Sequence, residues 1–197
     1  MFTGIVQGVG RVIGLEPRGG DVTLVFETGP VPVDQTAVGD SIAVNGVCLT
    51  ATRVEARGFA ADVSRETLSM TTLGEWRPGA RVNIEKAIVA GQPLGGHYVT
   101  GHVDGVGQVV SREDDARSVR MEFDVPPELA RYIARKGSVC IDGVSLTVNG
   151  IGGSRFDVNL VPHTLQVTIL DDYRPGTRVN LEVDIIARYV ERLTGNP

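Results

Sequence analysis

The chain has 197 residues, 42% hydrophobic and 22% charged, with a formal net charge of −5. Its Lys and Arg residues are scattered and form no basic stripe, which argues against a nucleic-acid partner. No run approaches the roughly 18 apolar residues of a membrane span, and Met1-Phe2-Thr3-Gly4-Ile5-Val6 lacks the flanks of a signal peptide, so a cytoplasmic protein is expected.

From the amino terminus, short Val-rich runs alternate with glycines, the pattern of strands and tight turns. Strands are predicted over Gly4–Ile13, Asp21–Glu27, Ser41–Val44, Cys48–Glu55, Gly58–Val63 and Arg81–Lys86. Asn45-Gly46 reads as a hairpin turn, and a helical turn falls around Arg65–Met70. Gly91–Gly96 is a linker too short to act as a free tether. Strands then return over Gly101–Val110, Ser118–Asp124, Ser138–Ile141, Ser145–Val148, Arg155–Leu160 and Arg178–Val183, with a second hairpin turn at Asp142-Gly143. For both turn glycines, permitting φ > 0 is reason enough for the residue. Helical turns are predicted over Pro127–Arg135 and Pro162–Val167. Finally Ile185, Ile186, Tyr189, Val190 and Leu193 form one helical stripe, able to pack on its own barrel or on a neighbouring chain. Six short strands per half would leave open edges unless each half closes. The predicted fold is all-β: tandem duplicated six-stranded Greek-key β-barrels plus a C-terminal α-helix. The first barrel is assigned to residues 1–97, the second to 98–186, and the helix and tail to 187–197.

The two halves are copies. Residues 1–90 fall on 98–187 without a gap and match at 31 of the 90 positions, too long a unit for a solenoid repeat. Two like folds imply two like pockets, so chemistry is sought where the copies differ. Cys48 of Asn-Gly-Val-Cys-Leu-Thr faces Ser145 of Asp-Gly-Val-Ser-Leu-Thr. His102 of Thr-Gly-His-Val faces Ile5, and Asp184 faces Ala87 after the matching strand Arg-Val-Asn-x-Glu. Singly, these read as a packed thiol, a core histidine and a surface aspartate. Together, His102, Cys48 and Ser145 supply a base and two groups suited to proton transfer or addition to an electrophile. Cys140 matches Ala43 and reads as a small buried hydrophobe.

Met1-Phe-Thr-Gly-Ile-Val-Gln-Gly8, Asn45-Gly-Val-Cys-Leu-Thr50, Glu66-Thr-Leu68, Gly95-Gly-His-Tyr-Val-Thr-Gly-His102 and Ile141-Asp-Gly-Val-Ser-Leu-Thr147 resemble the riboflavin synthase family. The resemblance covers both halves and the linker. It implies a dismutation: one 6,7-dimethyl-8-ribityllumazine gives a four-carbon unit to a second, yielding riboflavin and a ribitylaminouracil. No metal or organic cofactor is implied. Non-catalytic lumazine-binding antenna proteins share the fold, but the retained His97, His102, Cys48 and Ser145 favour the enzyme over such a carrier.

By the same resemblance, one pocket takes Gly4, Ile5, Val6, Cys48, Leu49, Thr50 and Asp62, Val63, Ser64, Arg65, Glu66, Thr67. The other takes Gly101, His102, Val103, Ser145, Leu146, Thr147 and Asn159, Leu160, Val161, Pro162, His163, Thr164. His163, opposite Glu66, departs from relatives that carry Glu and is not assigned to catalysis. Lys136 is expected to reach a substrate in a neighbouring subunit of a homotrimer, with two lumazines at each intersubunit site. Association with lumazine synthase is a further partner that the resemblance admits. The catalytic set is His102, Cys48, Ser145 and Asp184.

Overall fold

A computed structural model describes residues 1–195; residues 196–197, assigned above to the tail, lie outside the described residues. Strands β1 (Gly8–Arg18), β2 (Asp21–Glu27), β3 (Ser41–Val44), β4 (Val47–Glu55), β5 (Gly58–Val63) and β6 (Arg81–Lys86) close into a barrel in the order β1-β2-β5-β4-β3-β6. Strands β7 (Gly105–Asp115), β8 (Ser118–Asp124), β9 (Ser138–Ile141), β10 (Val144–Gly152), β11 (Arg155–Leu160) and β12 (Arg178–Val183) repeat that order. Bulges sit at matching places, between Val12 and Gly14 and between Val109 and Ser111, where the extra residue bends the strand and helps the sheet close. Each barrel has its own core. Cross-strand phenylalanines stack at its centre, Phe26 on Phe59 at 5.0 Å and Phe123 on Phe156 at 5.5 Å, a geometry that adds to the area they bury.

The helices are α1 (Arg65–Met70), α2 (Pro127–Ala130), α3 (Pro162–Val167) and α4 (Ile185–Thr194). Helix α4 begins two residues ahead of 187 because Asp184 caps it, its carboxylate accepting the Ile186 N–H at 3.0 Å. Helix α2 stops well short of Arg135: beyond Ala130 the chain continues in turns, with Lys136 at a left-handed φ of 66° ahead of β9.

The first strand of each half starts four residues later than predicted. Thr3 to Gln7 and Thr100 to Asp104 form no strand of their own barrels; each run is tied to its barrel at its end and crosses to the other half. Thr3 and Gly4 donate their N–H groups to the Glu85 carboxylate on β6, while the Gly4 carbonyl accepts the N–H of Ser145 at 2.8 Å. Thr100 and Gly101 donate to Glu182 on β12, and the Gly101 carbonyl accepts the N–H of Cys48 at 2.9 Å. Phe2 pairs with Val99 between the barrels, packed with Ala43 and Cys140. Cys140 is the buried hydrophobe expected, and burial pushes its thiol well up.

The two Asx-Gly turns do more than reverse the chain. Gly46 and Gly143 meet face to face, so closely that a Cβ on Gly46 would lie 2.7 Å from the Gly143 nitrogen. Around them Asn83 Nδ2 donates to the Asp142 carbonyl and Asn180 Nδ2 to the Asn45 carbonyl, at 2.8 and 2.9 Å. The copies differ here as well: Asp142 and Tyr173 stand where the first half has Asn45 and Trp76. The Tyr173 hydroxyl and the Asn180 N–H both donate to the Asp142 carboxylate.

Burial pushes Asp142 up to about 7 despite these donors. An unfolded aspartate titrates near ~3.9, so between the two values the folded chain holds a proton that the unfolded chain has released. That stability is full below pH ~4 and is lost as pH rises through 7, by at most roughly 4 kcal/mol. Glu85 and Glu182 are raised too, also by burial, and add to the same trend. Asp142→Asn, which recreates the residue of the first half, should therefore unfold at a higher temperature than the wild type at pH 8 and show a weaker loss between pH 5 and 8. Parallel melting curves across that range would mean that Asp142 stays charged in the fold.

Candidate active site

Two crossing segments, each seated on the opposite barrel, build two equivalent surfaces. On the first barrel, β4 presents Cys48 and Thr50 outward while Leu49 between them is buried in the core, the alternation of a strand with one wet face. Ala51 pairs with Ala61, which brings exposed Thr50 beside exposed Asp62. Asp62 accepts the Thr23 hydroxyl at 2.6 Å. Ser64 caps α1 by accepting the Thr67 N–H, and the Arg65 N–H is held by Asp21. Gly101, His102 and Val103 close this surface: Gly101 against Cys48, Val103 against the core of the first barrel.

The second surface has the same plan. Ser145 and Thr147 point outward from β10, Leu146 is buried, and the pair Val148–Val158 places Thr147 beside Asn159. Leu160 is core, and Val161, Pro162, His163 and Thr164 turn into α3. Gly4 lies against Ser145, and Val6 packs on the core of the second barrel.

The expected grouping of these residues is therefore corrected. Gly4, Ile5 and Val6 belong with Ser145 and residues 159–164, whereas Gly101, His102 and Val103 belong with Cys48 and residues 62–67. The crossing is what makes Gly4 and Gly101 glycines, at φ 75° and 79°. A Cβ on either would sit 2.6 or 2.5 Å from the Cβ of Ser145 or Cys48. Leu49, Val63, Leu146 and Leu160 face the cores, so their side chains are turned away from the open surfaces. Lys136 is exposed and donates its N–H to the Val148 carbonyl, beside Thr147.

The catalytic candidates divide between the surfaces. His102 is exposed, its carbonyl accepting from Arg188 of α4 at 2.9 Å. Arg188 also pairs with Asp104 at 2.6 Å. Asp184 is half-buried and acts on His97, which the residue reading left without a role. His97 is 8% exposed, with Nδ1 2.7 Å from Ser145 Oγ. Burial holds its imidazole below the usual range, with Asp184 pulling the other way. Glu85 and Glu182, the anchors of the crossing segments, were also passed over. Their signal was present, as the matched Glu of Arg-Val-Asn-x-Glu.

The lumazine binding domain model matches this chain twice, over residues 3–87 and 100–184. A riboflavin synthase of Mycobacterium tuberculosis is 48% identical over 197 residues, covering 98% of each chain. The chain belongs to the riboflavin synthase family. A Photobacterium phosphoreum riboflavin synthase is 42% identical over 98% of this chain and 88% of its own length, and one of Bacillus subtilis 36% over 98% and 89%. Among solved structures, LumP complexed with riboflavin superposes with a TM-score of 0.84 at 26% identity, covering 93% of this chain and 99% of that one. The riboflavin synthase relatives align through both halves and the linker, so both surfaces fall within the shared region.

Proposed function

We propose that the chain works as a riboflavin synthase: it dismutates two molecules of 6,7-dimethyl-8-ribityllumazine by four-carbon transfer, giving riboflavin and 5-amino-6-(D-ribitylamino)uracil. The observation that carries this reading is the pair of equivalent surfaces, alike in backbone yet different in their reactive groups. Two identical substrates call for two matching sites. Different side chains at Cys48 and Ser145 let the two molecules play different parts. Backbone groups of the strand ends suit the edge of a pyrimidinedione, and Thr50, Thr147 and Asn159 suit a ribityl chain. Holding both substrates face to face replaces a bimolecular encounter with a positioned one, which can lower the barrier by ~7–11 kcal/mol.

The sites themselves are open faces of one chain, which supports completion by a second. The apolar stripe of α4 supports the same assembly: Ile186, Tyr189, Val190 and Leu193 are all more than half exposed. We take this to be a homotrimer in which the first barrel of one subunit faces the second barrel of another.

Mixing the purified chain with the lumazine and following riboflavin absorbance tests the reading. Steady riboflavin formation without added metal or cofactor is expected. Saturable binding of the lumazine with no riboflavin formed would make the chain a carrier instead.

A further inference from the structure

We infer, resting on the lumazine reading above, that Glu182 and Glu85 are positioning residues that act across the barrels. Glu182, on the second barrel, sets Cys48 and His102 at the first-barrel surface; Glu85, on the first barrel, sets Ser145 at the second-barrel surface. Both oxygens of each carboxylate are taken by a crossing segment. Thr100 gives its N–H and its hydroxyl to Glu182 Oε1, each at 2.7 Å, and Gly101 gives its N–H to Oε2 at 2.9 Å. Thr3 and Gly4 hold Glu85 in the same way, at 2.7, 2.7 and 3.1 Å. The residues so held touch the reactive groups directly. The Gly101 carbonyl accepts the Cys48 N–H at 2.9 Å, and Thr100 Oγ1 accepts the His102 N–H at 3.3 Å. In the other copy the Gly4 carbonyl accepts the Ser145 N–H at 2.8 Å, and Thr3 Oγ1 accepts the N–H of Ile5, the match of His102, at 3.1 Å.

Packing alone does not ask for an acid at either place. Glu85 and Glu182 are 3% and 2% exposed, and a charge buried among uncharged donors is costly. Burial raises both carboxyls, while the Thr and Gly donors pull them down. What the segment requires is a group that accepts at both ends and donates at neither, which an ionised glutamate is and a glutamine is not. With glutamine at 182, in either orientation of the amide, a backbone N–H of Thr100 or Gly101 would face another donor. The segment would then lift, carrying the Gly101 carbonyl and His102 with it. Cys48 would be uncovered as well, since Gly101 lies so close that a Cβ on it would stand 2.5 Å from the Cys48 Cβ. Each carboxylate thus governs the surface of the barrel it does not belong to, without itself meeting the substrate.

The test follows alkylation by iodoacetamide on the full-length chain. Cys140 is buried, so Cys48 reports on the first-barrel surface, and a Cys48→Ser, Ser145→Cys double variant reports on the second. Glu182→Gln should speed alkylation at position 48 by about fivefold or more while leaving a thiol at position 145 within about twofold, and Glu85→Gln should do the reverse. In the native background Glu182→Gln should also lower kcat for the lumazine by ~10²-fold, the cost of reacting groups set about 1 Å off, with a smaller change in KM. A merely structural glutamate would loosen its own strand, β12 or β6. Equal acceleration of both thiols, acceleration confined to the carboxylate's own barrel, or a kcat within about threefold of the wild type would each overturn the assignment. If Glu182→Gln does not fold, Thr100→Val decides by the same thiol pattern, because it keeps the shape and removes only the hydroxyl between Glu182 and the His102 N–H. A wild type that binds lumazine without making riboflavin would sink the function itself; the alkylation pattern needs no turnover and would still judge the two glutamates.

Discussion

His102→Gln should slow riboflavin formation by ~10²-fold or more while leaving the assembly and its ligand affinity within a few-fold. The geometry makes this a clean experiment. His102 is exposed and its side chain makes no hydrogen bond among the described residues; only its backbone is engaged, by Thr100 Oγ1 and Arg188. Glutamine keeps the length and the polarity but cannot exchange protons near neutral pH as an imidazole does. The equivalent residue at the other surface is Ile5, also exposed, so the fold itself asks for no histidine here. Lost binding with turnover per bound site intact would give His102 a purely steric part. Proton handling would then rest with Ser145 and Cys48.

Gly101→Ala should be among the most damaging single-methyl changes. A left-handed alanine is strained by roughly 1–2 kcal/mol. Its Cβ would also press on the Cys48 backbone at 2.8 Å, an overpacking penalty of about 1–3 kcal/mol, and would push the Gly101 carbonyl off the Cys48 N–H. The melting temperature should fall by roughly 5–15 °C, and binding at the first-barrel surface should be lost with it. Gly79→Ala is the control: φ there is 95° but nothing lies within 4 Å of the added atom, so it bears the backbone strain alone. Equal losses in the two variants would show that the crossing segment yields freely.

The strands, turns and duplication were legible in the sequence because glycine punctuation and alternation are local signals. Ten of the twelve strands begin at or within one residue of their predicted start; the two exceptions are the first of each half. There the backbone of Thr3 and Gly4 is satisfied by a carboxylate on one barrel and a strand of the other instead of by a sheet neighbour. That is also why the pocket grouping failed. A segment that stays home and one that crosses over leave the same repeat in the sequence, since both halves cross alike. Comparing the copies found Cys48, Ser145 and His102, which lie inside matched motifs. It could not single out His97, which follows the linker and lies outside the ninety aligned positions. Nor did it give Glu85 and Glu182 a role, since a search for differences passes over what the copies share.

The mutual crossing of the two halves has a bearing on how such a chain arises. Gly4 reaches the β-strand of the second copy as Gly101 reaches that of the first, Thr72 donates to Asn180 as Ile169 donates to Asn83, and Gly46 faces Gly143. Replace each residue of the second half by its match in the first, and every contact becomes one between two identical single-barrel chains. The architecture is that of a segment-swapped pair made permanent by a linker. In a single chain the two copies can differ, and here a serine, a histidine and an aspartate stand in the second alone. A symmetric pair of short chains cannot hold that difference, because any change appears in both partners at once.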